Sequence, residues 1–318
     1  DGAANWRFEV LDYSVDLMRA DRLSLLFGHL FHLAAFIGAV FALHVRDRIQ
    51  QIAALLYGGS AIGAVFAGDL VAFFLFWELE LVPMFFLIAI WGSGRKEYSA
   101  MKFLIFTILG GALMLVGILA LFFSTGTFDM TAIPDKIVGA RTVMPIGAVF
   151  ALLFLAFAVK LPVWPFHTWL PDAHTDAPTA GSVMLAGVLI KMGGYGLIRI
   201  CVEMFPGVAS DTAWLFAGAG VINILYGAVV TMRQTDLKRL IAFSSISHMG
   251  FVMLGIGSVV GVAGTVSPVG LTGASLQMFT HGTITGLLFL LVGIVYEKVH
   301  TRYIPDLGGL ATRMPFLA

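Results

Sequence analysis

Charge is scarce in this 318-residue chain. Lysine, arginine, aspartate and glutamate together make up 12% of the residues, whereas hydrophobic residues make up 59%. Soluble domains carry about a quarter charged residues, so this composition excludes an ordinary soluble domain. The 19 basic and 19 acidic side chains balance, and no basic run is present. A nucleic-acid partner is therefore not expected.

Cysteine is almost absent as well. The single Cys201 excludes an intrachain disulfide and a cysteine-rich zinc or iron–sulfur site. The sequence also lacks a glycine-rich phosphate loop, a Walker lysine motif, a nucleophile elbow and a Cys-x-x-Cys pair. Energy must therefore reach the chain from elsewhere, and we expect no cofactor on the chain itself.

Long apolar runs are what the chain has instead. A helix that crosses a ~30 Å hydrocarbon core needs about 20 mostly apolar residues, and about nine segments qualify. They are 22–45, 50–68, 70–92, 99–124, 144–166, 179–204, 212–232, 239–263 and 275–297. The sequence predicts an all-α, polytopic integral membrane protein with about nine visible transmembrane helices. Basic residues concentrate in alternate connections, which the positive-inside rule places in the cytoplasm.

Two lysines lie inside these runs. Lys160 ends one apolar segment, and Lys191 occupies the middle of another. A charged side chain near the bilayer centre costs ~2.5–3.5 kcal/mol, so such residues indicate a functional site. For Lys160 the alternative is a side chain that extends to the membrane surface. Prolines 162 and 165 argue against that alternative, because they predict a broken helix around 160–165 of the kind that marks transport sites.

Glu78 and Glu80 form a carboxylate pair in a third apolar segment. Residues two apart in a helix are separated by about 200°, so the two carboxylates are not expected to share one site. One should face the bundle interior and the other an interface; the alternative role for either is to fix helix packing. We hypothesise a Glu78–Lys160 ion pair that makes Lys160 a switchable proton donor, with Lys191 as the carrier in mid-membrane.

Histidines extend this pattern. His248 and His281 each lie among hydroxyl side chains in an apolar helix. Imidazole titrates near neutral pH, so both could extend a proton path; a hydrogen-bonded core histidine is an equal alternative. His167 and His174, near two aspartates, could suggest a metal cluster. The surrounding prolines favour a structural capping role, and no metal site is predicted.

Several ordered motifs resemble the antiporter-like membrane subunits of respiratory complex I, specifically the M type, which includes subunit 4 of the mitochondrial complex and its photosynthetic counterpart. The resemblance covers about 70–318. The matching runs are 76–84 (FWELELVPM), 159–162 (VKLP), 169–174 (WLPDAH), 177–182 (APTAGS), 189–192 (LIKM), 236–240 (DLKRL) and 247–250 (SHMG). Residues 13–70 are more similar to the D-type member of the multisubunit sodium/proton antiporters.

The resemblance implies a role for each matched position. Glu78 corresponds to the essential carboxylate, Lys160 to its partner on the broken helix and Lys191 to the central lysine. His248 and His281 correspond to the histidines that link the two halves of the channel, and Glu80 is a secondary candidate.

The implied fold has 14 helices in inverted five-helix repeats. Residues 1–49 would form an N-terminal segment with the first helix, 50–204 the first repeat and 205–318 a partial second repeat. The second broken helix of the family, with its own ionisable residue, would follow Pro315. We therefore interpret the chain as a fragment.

The implied function is proton translocation, powered by redox chemistry on other subunits of an NADH:quinone oxidoreductase. The expected partners are the lipid bilayer and other membrane-arm subunits in a bacterial inner membrane or another energy-transducing membrane. One alternative is the D-type member of a multisubunit sodium/proton antiporter, in which sodium ions are also carried. A second alternative is a scaffold that holds the membrane arm together without conducting.

Overall fold

The computed structural model describes residues 4–10, 13–258 and 268–315. Within these ranges, eight helices are long and apolar enough to cross a membrane, and Ile146–Lys160 is a shorter apolar helix. The predicted polytopic helical membrane protein is therefore confirmed. The helices are α1 (Arg22–Phe41), α2 (Arg48–Phe66), α3 (Leu70–Leu79), α4 (Leu81–Ala89), α5 (Lys96–Thr125), α6 (Ile133–Ile137), α7 (Ile146–Lys160), α8 (Trp169–Asp176), α9 (Thr179–Met184), α10 (Ile190–Gly196), α11 (Pro206–Asp211), α12 (Ala213–Thr231), α13 (Leu237–Gly257), α14 (Pro268–Val299) and α15 (Leu310–Arg313).

Aspartate side chains fix the first turn of four helices. Asp21, Asp47, Asp69 and Asp236 each accept hydrogen bonds from backbone N–H groups at the start of α1, α2, α3 and α13. A helix begins with four unpaired N–H groups, and an aspartate at this position satisfies one or two of them. These caps mark where apolar runs of similar composition are divided, including the short turn between α2 and α3.

The chain begins with a β-hairpin that the sequence analysis did not predict. Strands β1 (Ala4–Val10) and β2 (Tyr13–Ala20) pair antiparallel. Asp16 joins the hairpin to the bundle, because its backbone carbonyl accepts a hydrogen bond from the Gly68 N–H at 3.0 Å. A Cβ at Gly68 would lie 2.8 Å from that carbonyl, so the close approach requires glycine.

The helix ends gather on two faces of the bundle. One face carries the hairpin and is called the hairpin face below. There, the Arg7 side chain on β1 pairs with the Asp129 side chain, which follows α5, at 3.2 Å. On the opposite face, the Trp91 indole donates to Asp47 at 2.8 Å and Arg302 donates to the Thr175 carbonyl at 2.7 Å. Arg302 pairs there with Asp236 at 3.4 Å.

The backbone departs from the α-helix at three places in the interior. Glu80 separates α3 from α4, because Pro83 has no N–H to donate to the carbonyl four residues earlier. Residues 161–168, after α7, form the break that the sequence predicts. The span Thr179–Val202 contains two π-helical segments, Leu185–Leu189 and Leu197–Val202, on either side of α10.

The span Thr179–Val202 is the centre of the bundle, since every residue from 181 to 202 is buried. Its glycines permit close contact with α7. A Cβ at Gly193 would lie 2.9 Å from the Phe157 carbonyl. The division of the chain into inverted repeats stays a prediction.

Candidate functional site

Lys160 has a direct ionic partner inside the protein. Its ammonium group donates a hydrogen bond to Glu80 Oε1. The side chains of Lys160 and Glu80 are 2% and 0% exposed. Burial removes both charges from water, so each depends on the other for compensation. We call Lys160, Glu80, Glu78, Trp77 and Tyr57 the first lysine centre.

Trp77 gives Lys160 a second partner. The ammonium nitrogen lies 3.5 Å from the centroid of the Trp77 ring, and Trp77 is buried. An aromatic face attracts a cation by ~0.5–2 kcal/mol, with the larger values in desolvated sites. Lys160 therefore lies between a carboxylate and a ring face, and only the carboxylate can be neutralised by a proton.

The prediction that Glu78 is the direct ionic partner of Lys160 is wrong. The carboxylate that bonds Lys160 is Glu80, at the interruption between α3 and α4. Both carboxylates lie around Lys160, so the expectation that they do not share one site is wrong as well. Glu78 is partly buried against α5, where a Cβ at Gly111 would collide with its Oε1. Glu78 remains within electrostatic reach of Lys160, and its functional role stays a prediction.

Tyr57 is a member of this centre that sequence reasoning did not single out. It is fully buried in α2 and lies within electrostatic reach of Glu80. In the described part of the chain, the Tyr57 hydroxyl and Glu80 Oε2 have no hydrogen-bond partner. The Tyr57 hydroxyl can donate or accept a hydrogen bond and the Glu80 carboxylate oxygen can accept one, so the centre has unused hydrogen-bonding capacity next to the ion pair.

Asn223 holds the broken helix in place. Its Oδ1 accepts the Trp164 N–H at 2.7 Å, and its Nδ2 donates to the Pro162 carbonyl at 3.2 Å. The side chain is fully buried in α12. The Ala158 carbonyl, which loses its α-helical donor to Pro162, accepts the Val163 N–H at 2.9 Å. The carbonyl freed by Pro162 and the backbone groups of Pro162 and Trp164 are thus satisfied within the protein, as membrane burial requires.

Lys191 forms a second centre of different character. Its ammonium nitrogen contacts the Ala186 carbonyl and lies 2.7 Å from His281 Nδ1. The His281 and His248 rings are 5.2 Å apart. His248 is exposed and lies 3.1 Å from the Gln277 amide. Lys191, His281 and His248 form a row from the interior to the side of α13 and α14; we call them the second lysine centre.

The two centres differ in their charge compensation. In the described ranges, no salt bridge includes Lys191, and its direct partners are a carbonyl and an imidazole. Lys160 in contrast has the Glu80 carboxylate. A buried ammonium group without a counter-charge is costly, and an imidazole at 2.7 Å is a suitable acceptor for its proton.

A third buried lysine lies on the face opposite the hairpin. Lys238, in the first turn of α13, is 3% exposed and donates to the Ala177 carbonyl at 2.6 Å and to Ser182 Oγ at 3.1 Å. His174, also fully buried, stacks on the Phe289 ring at 4.6 Å. The sequence analysis did not single out Lys238 as a buried lysine.

The aspartates beside His167 and His174 have structural partners. Asp172 pairs with Lys102 at 2.7 Å and with Arg239 at 3.1 Å. Asp176 accepts a hydrogen bond from Ser99 Oγ at 2.6 Å. These bonds attach α8 to α5 and α13, which agrees with the structural interpretation of this cluster.

The fold and the two lysine centres define a multi-pass membrane protein with ionisable side chains along its interior. Residues 67–318 match the family model described as NADH:quinone oxidoreductase/Mrp antiporter, TM. The chain belongs to this family of antiporter-like membrane subunits.

Individual relatives agree with this assignment. The chain is 45% identical over 292 residues to NADH-quinone oxidoreductase subunit M of Rhodobacter capsulatus, an alignment that covers 87% of this chain and 55% of the relative. It superposes on a chain of respiratory complex I from Thermus thermophilus with a TM-score of 0.89 and 29% identity, covering 99% of this chain and 66% of that one. A chain of the Mrp complex from Dietzia gives a TM-score of 0.85 and 26% identity, covering 98% and 34%. The chain spans about half the length of the curated relatives it matches.

Proposed function

We propose that this chain carries protons through the membrane as a subunit of an NADH:quinone oxidoreductase of the complex I type. The observation that supports the proposal is the row of Lys191, His281 and His248, whose first two members are 2.7 Å apart inside the bundle. The similarity to subunit M of Rhodobacter capsulatus supports the choice of complex.

The first lysine centre supplies a switch. When a proton neutralises Glu80, Lys160 keeps the Trp77 ring but loses its carboxylate partner. A buried ammonium group without that partner is destabilised, so Lys160 becomes ready to release its proton. A returning charge on Glu80 restores the pair. Glu78, within electrostatic reach, adjusts the same balance.

The second lysine centre carries the proton onward. Lys191 Nζ gives its proton to His281 Nδ1, and the imidazolium releases the proton on Nε2 towards His248, whose ring centroid lies 5.2 Å away. In this proposal the redox chemistry occurs on other subunits, and no flavin, iron–sulfur cluster or quinone binds here. The membrane partners are lipid and neighbouring membrane-arm subunits of a bacterial plasma membrane or an equivalent one.

The test is NADH-driven acidification of inverted membrane vesicles that contain the full-length chain in its complex. Lys191→Met keeps the apolar stem and removes the ammonium group. We expect acidification to fall by about tenfold or more, since a positioned proton-transfer group contributes roughly 10²–10⁴-fold. Lys136→Met makes the same chemical change at an exposed position and serves as the control.

The alternatives give different results in this assay. Unchanged acidification in Lys191→Met contradicts the proposal and leaves the non-conducting scaffold. Acidification that needs a sodium gradient and no NADH favours the sodium/proton antiporter; the similarity of this chain to a chain of the Mrp complex from Dietzia keeps that alternative open.

A further inference from the structure

A polar stripe leads from Lys191 towards the hairpin face. Lys191, Tyr195 and Arg199 follow one another at intervals of four residues along one side of the span Thr179–Val202, and Glu203 continues the interval directly after the span. The first three are buried, whereas the Glu203 side chain is 45% exposed. The stripe therefore connects the central lysine with the surface of the bundle on the side away from the basic connections.

An aromatic layer crosses this stripe directly beyond Lys191. The Tyr195 ring meets the Phe27 ring at 5.5 Å and 72° and stacks along the Phe73 ring at 6.4 Å and 27°. All three residues are buried. Apolar constrictions of this kind exclude water and so interrupt ion movement. We call Phe27, Phe73 and Tyr195 the aromatic layer.

The Tyr195 hydroxyl and all three guanidinium nitrogens of Arg199, which lie beyond the layer, make hydrogen bonds within the protein. The Tyr195 hydroxyl donates to the Val65 carbonyl at 2.8 Å and accepts a bond from Arg199 Nε at 3.1 Å. The guanidinium also donates to Asp21 Oδ1 at 2.6 Å and to Glu203 Oε2 at 2.9 Å. All three directions of the Arg199 fork are therefore used, and the fork is fixed in one orientation.

This hydrogen-bond chain cannot relay a proton. Its donors point from Arg199 to Tyr195 and from Tyr195 to a backbone carbonyl, which has no proton to pass on. A guanidinium group does not release its proton in proteins, so Arg199 blocks the path where a lysine or histidine would not. Asp21 is itself held by the N–H groups of Leu23 and Ser24, which makes it a fixed anchor for the fork.

We propose that Arg199, anchored by Asp21 and placed on the aromatic layer, is a stopper that prevents protons from leaking between Lys191 and the hairpin face. This inference rests on the proposed function, because a leak barrier matters only if Lys191 carries protons. Asp21 acts through Arg199 and is a positioning residue. The stopper forces protons on Lys191 to leave through His281.

The test is passive proton influx into liposomes that contain the full-length chain in its complex, measured with an internal pH-sensitive dye under an imposed potential and without NADH. Arg199→Ala should raise the influx by about tenfold, which corresponds to a barrier lowered by about 1.4 kcal/mol. Arg22→Ala removes the same charge from an exposed position on the same face and should leave the membrane tight. Arg199→Lys, which keeps the charge but loses the fork, should leak by an intermediate amount.

A second substitution separates a stopper from a damaged fold. The leak of Arg199→Ala should disappear when Lys191→Met is added, because the leaking proton passes through Lys191. A folded Arg199→Ala variant that stays tight overturns the inference, and so does a leak that persists in the double variant. If Arg199→Ala does not assemble, the passive proton influx of Arg199→Lys, measured with and without Lys191→Met, tests the inference in the same way.

The stopper and the proposed function fail separately. If vesicles with the Lys191→Met variant are still acidified by NADH, the proposed function is refuted. If Lys191→Met abolishes acidification but Arg199→Ala does not raise the passive proton influx, only the stopper hypothesis is refuted.

Discussion

Removing the carboxylate of Glu80 should destabilise the protein far more than removing that of Glu78. Glu80→Gln leaves Lys160 buried without its ionic partner, and breaking a buried pair in this way costs ~3–5 kcal/mol. The contact with the Trp77 ring remains and offsets part of this loss, so we expect a net cost of ~2–4 kcal/mol. Glu78→Gln removes the charge of a carboxylate that makes no direct bond to Lys160, and should lower the free energy of unfolding by less than ~1 kcal/mol.

The assay is thermal unfolding of the purified protein in detergent. The buried thiol of Cys201 becomes available to a fluorescent maleimide when the bundle opens. At roughly 2 °C per kcal/mol for a chain of this size, Glu80→Gln should lower the melting temperature by about 4–8 °C and Glu78→Gln by less than about 2 °C. The double variant Glu80→Gln/Lys160→Met, which removes both charges, should recover most of the loss, because apolar groups replace a buried pair at little cost.

Two results would refute this reasoning. Equal losses in Glu80→Gln and Glu78→Gln would mean that both carboxylates hold Lys160 alike. A double variant as unstable as Glu80→Gln would mean that the cost arises from glutamine packing and not from an unpaired ammonium group.

Two further predictions concern the break and the hairpin face. Asn223→Ala leaves the Pro162 carbonyl and the Trp164 N–H without their partner and should cost ~2–4 kcal/mol, measured by the same melting assay with Asn223→Asp as a variant that keeps only the acceptor. Burial alone would raise the pKa of Asp21, but its bonds to Arg199 and to the first turn of α1 hold that pKa below its usual value. This stabilisation is present above the unfolded pKa of about 3.9 and is lost as the pH falls through the lower folded value. Asp21→Asn should therefore melt earlier than the wild type at pH 7, with a difference that shrinks below pH ~4; a difference that stays constant would contradict the ion pair.

The spans and the two lysines could be predicted from the sequence because each rests on a large energy. About 20 apolar residues in a row have few alternatives to a membrane helix, and a lysine inside such a run is costly enough to indicate function. The break after Lys160 could be predicted because prolines 162 and 165 remove backbone donors. These features need no knowledge of which helices touch.

The partners of the lysines could not be predicted in the same way. Whether Glu78 or Glu80 meets Lys160 depends on how α3 and α4 rotate at their interruption, which the sequence does not determine. Asn223 and Tyr57 lie in largely apolar stretches of their helices, and no spacing in the sequence marks either residue as part of a site. The contact between Lys191 and His281 joins residues 90 positions apart and requires the packing of α14 against the central span.

Both lysine centres lie where the backbone stops being a regular α-helix. Carbonyls in an α-helix are occupied by the N–H four residues on, so they are poor partners for an ammonium group. Lys191 bonds the carbonyl of Ala186, which lies in the π-helical segment Leu185–Leu189, where that pattern is loosened. Lys160 is the last residue of α7, and its partner Glu80 stands at the interruption between α3 and α4. A buried amine that must exchange protons needs acceptors within reach, and in a helical membrane protein irregular backbone is the place where they can be offered.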